Sequence, residues 1–454
     1  MEKSDYTSII GMEIHVELAT QSKMFCGCRN DPFYAPKPNI YTCPVCLGMP
    51  GGLPVPNKKA IEWTIRLGLA LGCSINTLSK FDRKNYFYPD LAKGYQISQY
   101  DLPFCKDGIV RLKEGNVRIT RVHLEEDTGK LQHTTIDGKK QTLIDFNRSG
   151  VPLVEIVTEP DIRSGEHAKA FLKHLHRIIR YLEISGADME KGSMRLEPNI
   201  SVGSTKDLGE IDGIVAHLPN YKVEVKNINS FNFVKKAIDF ELVRHRELLE
   251  KGELPKQETR GWDENKNATY SQRSKEDAKD YRYFPEPDIP PFRLTDAYIE
   301  DIKKSLPELP REKEERFEKD YGLSEYDAAN ITETKDRADY FEATIALSEG
   351  NDQYKNITAK MIANHMINKK SDGSTLTPEE VLSSIQSVRA SSVVDDSIIN
   401  DVVGKVVTGN PKAVSDFRSG KTGVLMFLVG QVKKELKGKG DATIIEQKLK
   451  EAIT

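Results

Sequence analysis

The sequence predicts an α+β protein in which a mostly antiparallel sheet with flanking helices precedes a long helical part. Up to residue 292, polar and apolar residues alternate in several short segments, as in antiparallel strands with one buried and one wet face. Four prolines between Tyr283 and Phe292 exclude a helix interior and predict an extended connector. Beyond it, strand patterns nearly vanish and short helical patterns follow.

These changes in sequence pattern divide the chain into parts. Its length of 454 residues favours two to four domains. We predict a sheet domain over residues 1–292, a helical domain over 293–396 and a small helical tail domain over 397–454. Charged residues make up 30% and hydrophobic residues 38%, as in globular proteins. The start of the chain lacks a signal-peptide pattern, and no apolar run has membrane-spanning length, so we expect a cytoplasmic protein.

Three helices are predicted inside the sheet domain. Asn57, Ser164 and Ser230 each precede a segment whose apolar residues recur on one stripe, and Asn is a favourable helix cap. We expect all three stripes to pack in the core.

Five predicted strands carry charged side chains on one face, because successive side chains of a strand point to opposite sides. The charged residues on these faces are Glu13, His15, Glu17, Arg121, His123, Glu125, Glu155, Glu159, Arg195, Glu197, Lys222, Glu224 and Lys226. For any single strand, a plain solvated face is the simpler interpretation. Five faces rich in Glu and His favour a shared site.

The residue types on these faces indicate the chemistry of that site. Carboxylates held close together repel one another unless a cation lies among them. Oxygen ligands suit Mg²⁺, and neighbouring Arg and Lys stabilise a transferring phosphoryl group. The faces therefore predict nucleotide-dependent phosphoryl transfer, provided that the strands are neighbours. No Walker-type phosphate loop is visible in the sequence.

Four of the six cysteines form two close pairs, Cys26-Gly-Cys28 and Cys43-Pro-Val-Cys46. Four thiolates match a closed tetrahedral Zn²⁺ site, and a site without an open position is structural. Four unliganded thiols are the alternative. Cys73 and Cys105 stand alone and are predicted to be small core residues.

Residues 86–100 combine aromatic side chains with Gln, Asp and Lys in a segment too polar for a core. Aromatic rings in such a segment are suited to stacking on an unpaired RNA base. An ordered loop that packs on its own tyrosines is the alternative interpretation.

Long blocks of the sequence resemble one known family. The blocks are residues 10–18 (IGMEIHVEL), 81–90 (FDRKNYFYPD), 94–100 (GYQISQY), 123–127 (HLEED), 281–288 (YRYFPEPD), 410–414 (NPKAV) and 427–431 (FLVGQ). They are similar to the signature blocks of the B subunit of the glutamyl/aspartyl-tRNA amidotransferase. The chain departs from many members at Glu197, where they carry the shorter aspartate, and at Asn232, where they carry arginine.

The resemblance implies a cradle domain, a helical domain and a tail domain similar to the YqeY fold. It implies a ligase that phosphorylates the side-chain carboxylate of Glu-tRNA(Gln) or Asp-tRNA(Asn), or of both, with ATP and Mg²⁺. An amidase-type A subunit would release ammonia from glutamine, and a small C subunit would complete a heterotrimer. A non-catalytic tRNA-binding scaffold is the alternative hypothesis, although clustered acids favour catalysis.

Combining the charged faces with the resemblance, we expect Glu13, His15 and Glu125 to bind Mg²⁺. The expected catalytic residues are Glu13, His15, Glu125, Glu155, Glu197 and Lys226. The expected cofactor-binding residues are Arg121, His123, Arg195, Tyr86, Tyr88, Lys93, Tyr95, Gln96 and Ser98.

The tail domain is basic although the whole chain is weakly acidic. From Ser397 onward there are ten Lys and Arg against six Asp and Glu, whereas the net charge of the chain is −3. We predict that this tail contacts tRNA phosphates. Solvated lysines on a small helical domain are the alternative.

Overall fold

The computed structural model describes residues 6–211, 214–274, 280–369, 373–392 and 395–453. The chain forms two compact units, Met1–Pro310 and Arg311–Thr454. The first combines a large sheet with helices and the second is helical in its described part, which confirms the predicted α+β class.

The strands are short except at the centre of the main sheet. They are β1 (Tyr6–Glu17), β2 (Ser74–Ile75), β3 (Leu78–Ser79), β4 (Asp82–Asn85), β5 (Tyr95–Ser98), β6 (Cys105–Val110), β7 (Val117–Glu126), β8 (Lys130–Ile136), β9 (Lys139–Asp145), β10 (Pro152–Thr158), β11 (Met194–Ser204), β12 (Glu210–Ile211), β13 (Ile214–Val215), β14 (Val223–Lys226), β15 (Glu258–Asp263), β16 (Ala268–Ser274), β17 (Phe284–Pro285) and β18 (Phe292–Arg293).

The helices occur singly in the first unit and in succession in the second. They are α1 (Lys58–Ala70), α2 (Gly165–Tyr181), α3 (Thr205–Leu208), α4 (Phe231–Glu250), α5 (Asp296–Lys304), α6 (Pro310–Tyr321), α7 (Glu325–Ile331), α8 (Lys335–Glu349), α9 (Ala359–Lys369), α10 (Pro378–Ser392), α11 (Asp396–Gly409), α12 (Pro411–Arg418), α13 (Val424–Glu435) and α14 (Ala442–Ile453), with one 3₁₀ turn at Asp352–Tyr354.

The main sheet has the strand order β16-β15-β14-β11-β1-β10-β7-β6-β2. Its neighbours pair antiparallel except β14 and β15, which run parallel. On β1, the side chains of Ile10, Met12, Ile14 and Val16 are buried in the core of the unit. Helix α1 packs against β6 and β7, and α4 packs against α2 and β11. The opposite face of the same strands therefore remains available for polar side chains.

The three predicted helices begin where the sequence indicated. The side-chain oxygen of Asn57 accepts a hydrogen bond from the backbone of Lys59 at 2.9 Å. The hydroxyls of Ser164 and Ser230 likewise accept hydrogen bonds from backbone N–H groups three residues later, each at 3.1 Å. These bonds satisfy donors that the first turn of a helix leaves open, so the three caps fix the starts of α1, α2 and α4.

A smaller three-stranded sheet, ordered β17-β4-β5, packs against β7 through β5. Proline cannot donate to a strand ladder, which explains why Pro285 lies in the edge strand β17. The proline-rich segment contains no helix, and its first residues belong to this small sheet. It is not extended throughout, because residues 287–289 form a turn between β17 and β18.

The described part of the second unit contains two separate cores. One includes Phe317 and Phe341, and the other includes Ile399 and Leu428. The three-domain division with boundaries at 292 and 396 stays a prediction. Among the described residues, no helix has both the length and the apolar character needed to cross a bilayer.

Candidate active site

The five strands with charged faces are consecutive in the main sheet, in the order β14-β11-β1-β10-β7. The strand register sets their polar side chains opposite one another: His15 faces both Glu155 and Arg195, Glu13 faces Glu197, and Glu155 also faces His123. Side chains directly opposite in an antiparallel pair lie on the same face. The alternation read from the sequence therefore becomes one continuous polar surface.

A first cluster joins two histidines and two carboxylates across β1, β10 and β7. Glu155 Oε2 lies 3.4 Å from His15 Nε2 and 3.2 Å from His123 Nε2. His123 Nε2 is also 3.6 Å from Glu125 Oε2, which accepts a hydrogen bond of 2.9 Å from Ser98 Oγ. His123, Glu125 and Glu155 are buried, so their charges act with little screening by water.

The protonation of this cluster follows from its crowded negative charge. Burial would lower the pKa of His15, but hydrogen bonding to Glu155 and the carboxylate charges raise it to about 9. Burial would raise the pKa of Glu155, but His123 and His15 hold it well below its usual range. The pKa of Glu125 is lowered against burial chiefly by Lys84. Both acids are therefore ionised and paired with neighbouring cationic groups, so a metal ion that uses His15 as a ligand must displace its proton.

A second cluster of carboxylates lies on β1, β11 and β14. Asn199 Nδ2 donates to Glu13 Oε1 at 3.1 Å, and Lys226 Nζ contacts Glu197 at 2.7 Å and Glu224 at 3.3 Å. Burial raises the pKa of Glu13, and the charges of Glu155 and Glu224 add to the effect. The raised pKa means that an additional cation beside Glu13 would be favourable.

Further along the same face, Arg195 is held by a third acidic group. It pairs with Asp127 and lies 3.6 Å from Glu17 Oε1, while Arg148 Nε lies 3.7 Å from Asp127. Burial and the nearby Asp127 raise the pKa of Glu17 to about 9. Burial would raise the pKa of Asp127, but the two arginines lower it to about 2. Arg195 is thus engaged by Asp127.

The predicted residues of β4, β5 and their loop fall into two groups. Ser98 reaches Glu125, and Gln96 donates to the backbone oxygen of Glu126 at 2.7 Å. Tyr86 donates to Gln96 at 3.3 Å. Lys93 pairs instead with Glu126, Tyr95 lies under the Arg83 guanidinium and Tyr88 is exposed. Arg121, which lies on β7, donates to His123 Nδ1 at 3.3 Å and so contacts the first cluster.

Lys84, Asp127 and Glu224 border these clusters but were absent from the predicted site. Burial would lower the pKa of Lys84, yet Glu125 and Glu155 hold it above its usual value. The strand alternation already places Glu224 on the charged face, although it is not among the residues expected to act in catalysis or to bind metal. Lys84 could not be placed in this way, because only the packing of β5 against β7 brings its strand to the main sheet.

Two groups of side chains on the charged face suit a divalent cation. Ligand atoms of His15, Glu125 and Glu155 lie within 4.8 Å of one another, as do those of Glu13, Glu197 and Glu224. The expected magnesium ligands Glu13, His15 and Glu125 are thus divided between the two groups. Among the described residues, nothing hydrogen-bonds to the buried His15 Nδ1 or Asn199 Oδ1. Asn199 Oδ1, whose amide nitrogen donates to Glu13, is an open acceptor beside the second group and fits coordination of a metal ion there.

The four paired cysteines also converge, with Sγ atoms of Cys26, Cys28, Cys43 and Cys46 within 4.8 Å of one another. Cys73 and Cys105 are buried in the core instead, as predicted. A hydrogen bond from Cys26 lowers the pKa of Cys46 to about 5, and Lys23 acts in the same direction.

Lys23 provides an independent test of whether these cysteines fit a zinc ion. Its side chain is fully buried, and its Nζ donates to the backbone oxygens of Tyr41 at 2.7 Å and Phe146 at 3.3 Å. Backbone oxygens do not neutralise a buried ammonium, whose desolvation costs several kcal/mol. Anionic thiolates beside it would supply the missing negative charge, so the surroundings fit a zinc tetrathiolate better than four neutral thiols.

A cavity of about 440 Å³ opens beside Glu13 at one end of the charged face. Its walls include Gly11, Asn199, Ser201 and Lys222. Its volume is that of a small-molecule site, and its polar residues adjoin the second carboxylate cluster.

Comparison with known proteins assigns the chain to a family. The model of the GatB/GatE catalytic domain matches residues 8–300, and a GatB domain model matches residues 324–453. Proteins named as the B subunit of aspartyl/glutamyl-tRNA(Asn/Gln) amidotransferase are 44% identical to this chain in Dehalococcoides mccartyi, Thermomicrobium roseum and Thermotoga maritima. The alignments cover 98–99% of this chain and 99% of each relative. The chain therefore belongs to the family of tRNA-dependent amidotransferase B subunits.

Proposed function

We propose that this chain activates the side-chain carboxylate of Glu-tRNA(Gln), Asp-tRNA(Asn) or both with ATP, and then directs ammonia to the activated carbon. The observation that carries the proposal is the pair of carboxylate clusters on one sheet face, in a chain whose relatives are named as parts of an amidotransferase. A scaffold that only binds tRNA has no need of buried acids crowded beside an open acceptor atom. The function is that of a ligase in protein biosynthesis.

The chemistry requires activation because hydroxide is a poor leaving group. A carboxylate oxygen of the substrate attacks the γ-phosphorus of ATP, the bond to ADP breaks, and an acyl phosphate forms. Ammonia then attacks the acyl carbon and phosphate leaves with the former carboxylate oxygen, while the nitrogen loses a proton. Both steps develop negative charge that fixed cations stabilise.

The chain's own residues divide this work. His15, Glu125 and Glu155 form one cation site, and Glu13, Glu197 and Glu224 form a second. Magnesium, when bound, neutralises phosphate oxygens and orients them for in-line transfer.

Two lysines border these cation sites. Lys226, between Glu197 and Glu224, and Lys84, near Glu125 and Glu155, provide positive charge on opposite sides of the face. They are positioned to stabilise the phosphoryl group between them. Arg121 and His123 support the first cluster, and Arg195 supports the far end of the face through Asp127.

The relatives are named as one lettered component of an enzyme, which supports a complex with other components. We propose an amidase-type A subunit that releases ammonia from glutamine and a small C subunit, together with misacylated tRNA. The basic tail after Ser397 contacts tRNA phosphates away from the acceptor end. The cysteine group binds a structural Zn²⁺ that fixes the loops around it.

Removing charge from the first cluster tests the catalytic role. In Glu125→Gln, tRNA-dependent ATP hydrolysis by the reconstituted complex should fall by about 10²–10³-fold, because an electrostatic contact to the transferring group is lost. Glutamine hydrolysis by the partner amidase should persist. Glu253→Gln, which changes an exposed glutamate, is the matched control. Near-normal amidation by a Glu13→Gln, Glu125→Gln double variant would place the chemistry outside this face and favour the scaffold hypothesis.

Metal analysis tests the zinc site. The purified protein should contain about one zinc per chain, and Cys43→Ser should lose it and lower the melting temperature, because a tetrahedral ligand is removed. Cys73→Ser, a change of a lone core cysteine, should retain the metal. The absence of zinc together with an unchanged melting temperature in Cys43→Ser would contradict the assignment.

Salt dependence tests the tail. Replacing the exposed Lys434 and Lys439 by glutamine should weaken tRNA binding and flatten its salt dependence, because fewer counterions are released. Lys251→Gln with Lys256→Gln, at exposed sites of the first unit, provides a charge-matched control. If deletion of residues 397–454 leaves both the affinity and the salt slope unchanged, the tail does not bind tRNA.

A further inference from the structure

Four tyrosines form a chain of ring contacts where the small sheet meets the main one. The rings of Tyr86 and Tyr281 are 6.0 Å apart between centroids, and those of Tyr281 and Tyr283 are also 6.0 Å apart. Tyr283 stacks on Tyr100 with centroids 4.3 Å apart and planes inclined by 12°. We call these four residues the tyrosine ladder.

The outer end of the ladder is open to solvent. Tyr100 is 59% exposed although its ring is stacked on Tyr283, which is half-buried. A ring with one face stacked on a neighbour and high exposure can accept a further planar ring on its other face. A planar ligand added on Tyr100 would continue the arrangement of the Tyr100–Tyr283 pair.

The inner part of the ladder borders the first carboxylate cluster. Lys84 Nζ lies 5.3 Å from the centre of the Tyr281 ring. Burial raises the pKa of Tyr283 to about 12, with Lys84 opposing and Glu125 and Glu155 adding to the rise. The contact with Lys84 places the inner part of the ladder beside a cation of the first cluster, so the ladder leads from solvent towards the proposed site of phosphorylation.

The chemistry of an aminoacyl-tRNA then identifies the occupant. The amino acid is esterified to the ribose of the terminal adenosine, so the adenine lies only one ribose and one ester away from the aminoacyl group. If the carboxylate is phosphorylated beside Glu125 and Glu155, the terminal adenine must lie near them. Stacking on aromatic rings is the usual way in which proteins hold unpaired bases.

We propose that Tyr100, supported by Tyr283, binds the 3′-terminal adenine of the aminoacyl-tRNA by stacking, an inference that rests on the proposed function. ATP contains the same base, but a different part of the face suits it. The cavity beside Glu13 lies on the β1 and β11 side, adjoins the second cluster and has room for a nucleoside. The ladder lies on the β7 side and takes the tRNA end.

The test compares two tRNA transcripts, one intact and one lacking the terminal adenosine, on the full chain assembled with its partner subunits. The wild type should bind the intact transcript about tenfold or more tightly than the shortened one, which is the effect of one stacked base. Tyr100→Leu should bind both equally, at the affinity the wild type shows for the shortened transcript. Tyr100→Phe, which keeps the ring, should restore the difference. Tyr34→Leu, at another exposed tyrosine, should behave as wild type.

Binding of ATP by the same variants distinguishes the two adenines. The ATP affinity of Tyr100→Leu should equal that of the wild type. Lost ATP binding with preserved discrimination between the transcripts would assign the ladder to ATP and overturn the inference. Preserved discrimination with normal ATP binding would also overturn it. Failure of the proposed function itself has a separate signature, because then the wild-type complex would show no tRNA-dependent ATP hydrolysis.

Discussion

Negative charge concentrated on one face of a packed sheet is the constraint on which this structure depends. The strand register forces Glu13, His15, Glu155 and Glu197 into one neighbourhood, since residues opposite one another share a face. Each carboxylate there interacts with a histidine, a lysine or another hydrogen-bond donor. The compensation of negative charge is incomplete at Glu13, whose pKa is raised. This incomplete charge balance is the physical ground for the proposed binding of cations and, through them, of phosphates.

The apolar face of the same strands explains how the structure tolerates carboxylates held so close together. Apolar residues of the same strands pack against α1, α2 and α4, and three capped helix starts hold those helices in place. A single-residue slip of β1 would exchange its buried and charged faces, so the register is strongly determined. The packed core therefore holds the mutually repelling acids in fixed positions on the sheet.

Much of this could be predicted from the sequence. Alternation along β1, β7, β10, β11 and β14 identified which side chains share a face, because that property depends only on local geometry. Alternation does not determine which strands are neighbours or which acidic side chains lie together in space. The division of Glu13 and Glu125 between two separate groups of ligands was therefore not predicted. Long-range packing brought Lys84 to the site. The buried Lys23 beside the cysteines was likewise hidden, since nothing in its sequence neighbourhood distinguishes it from a solvated lysine.

Isotope transfer tests the central claim most directly. A Glu-tRNA(Gln) or Asp-tRNA(Asn) with ¹⁸O in both oxygens of its side-chain carboxylate would be given to the assembled complex with glutamine and ATP. Activation by phosphorylation predicts that one ¹⁸O appears in inorganic phosphate for each amide formed, while the other stays in the amide carbonyl. Amide formation with unlabelled phosphate would contradict an acyl phosphate, and with it the account of the charged face as a phosphoryl-transfer site.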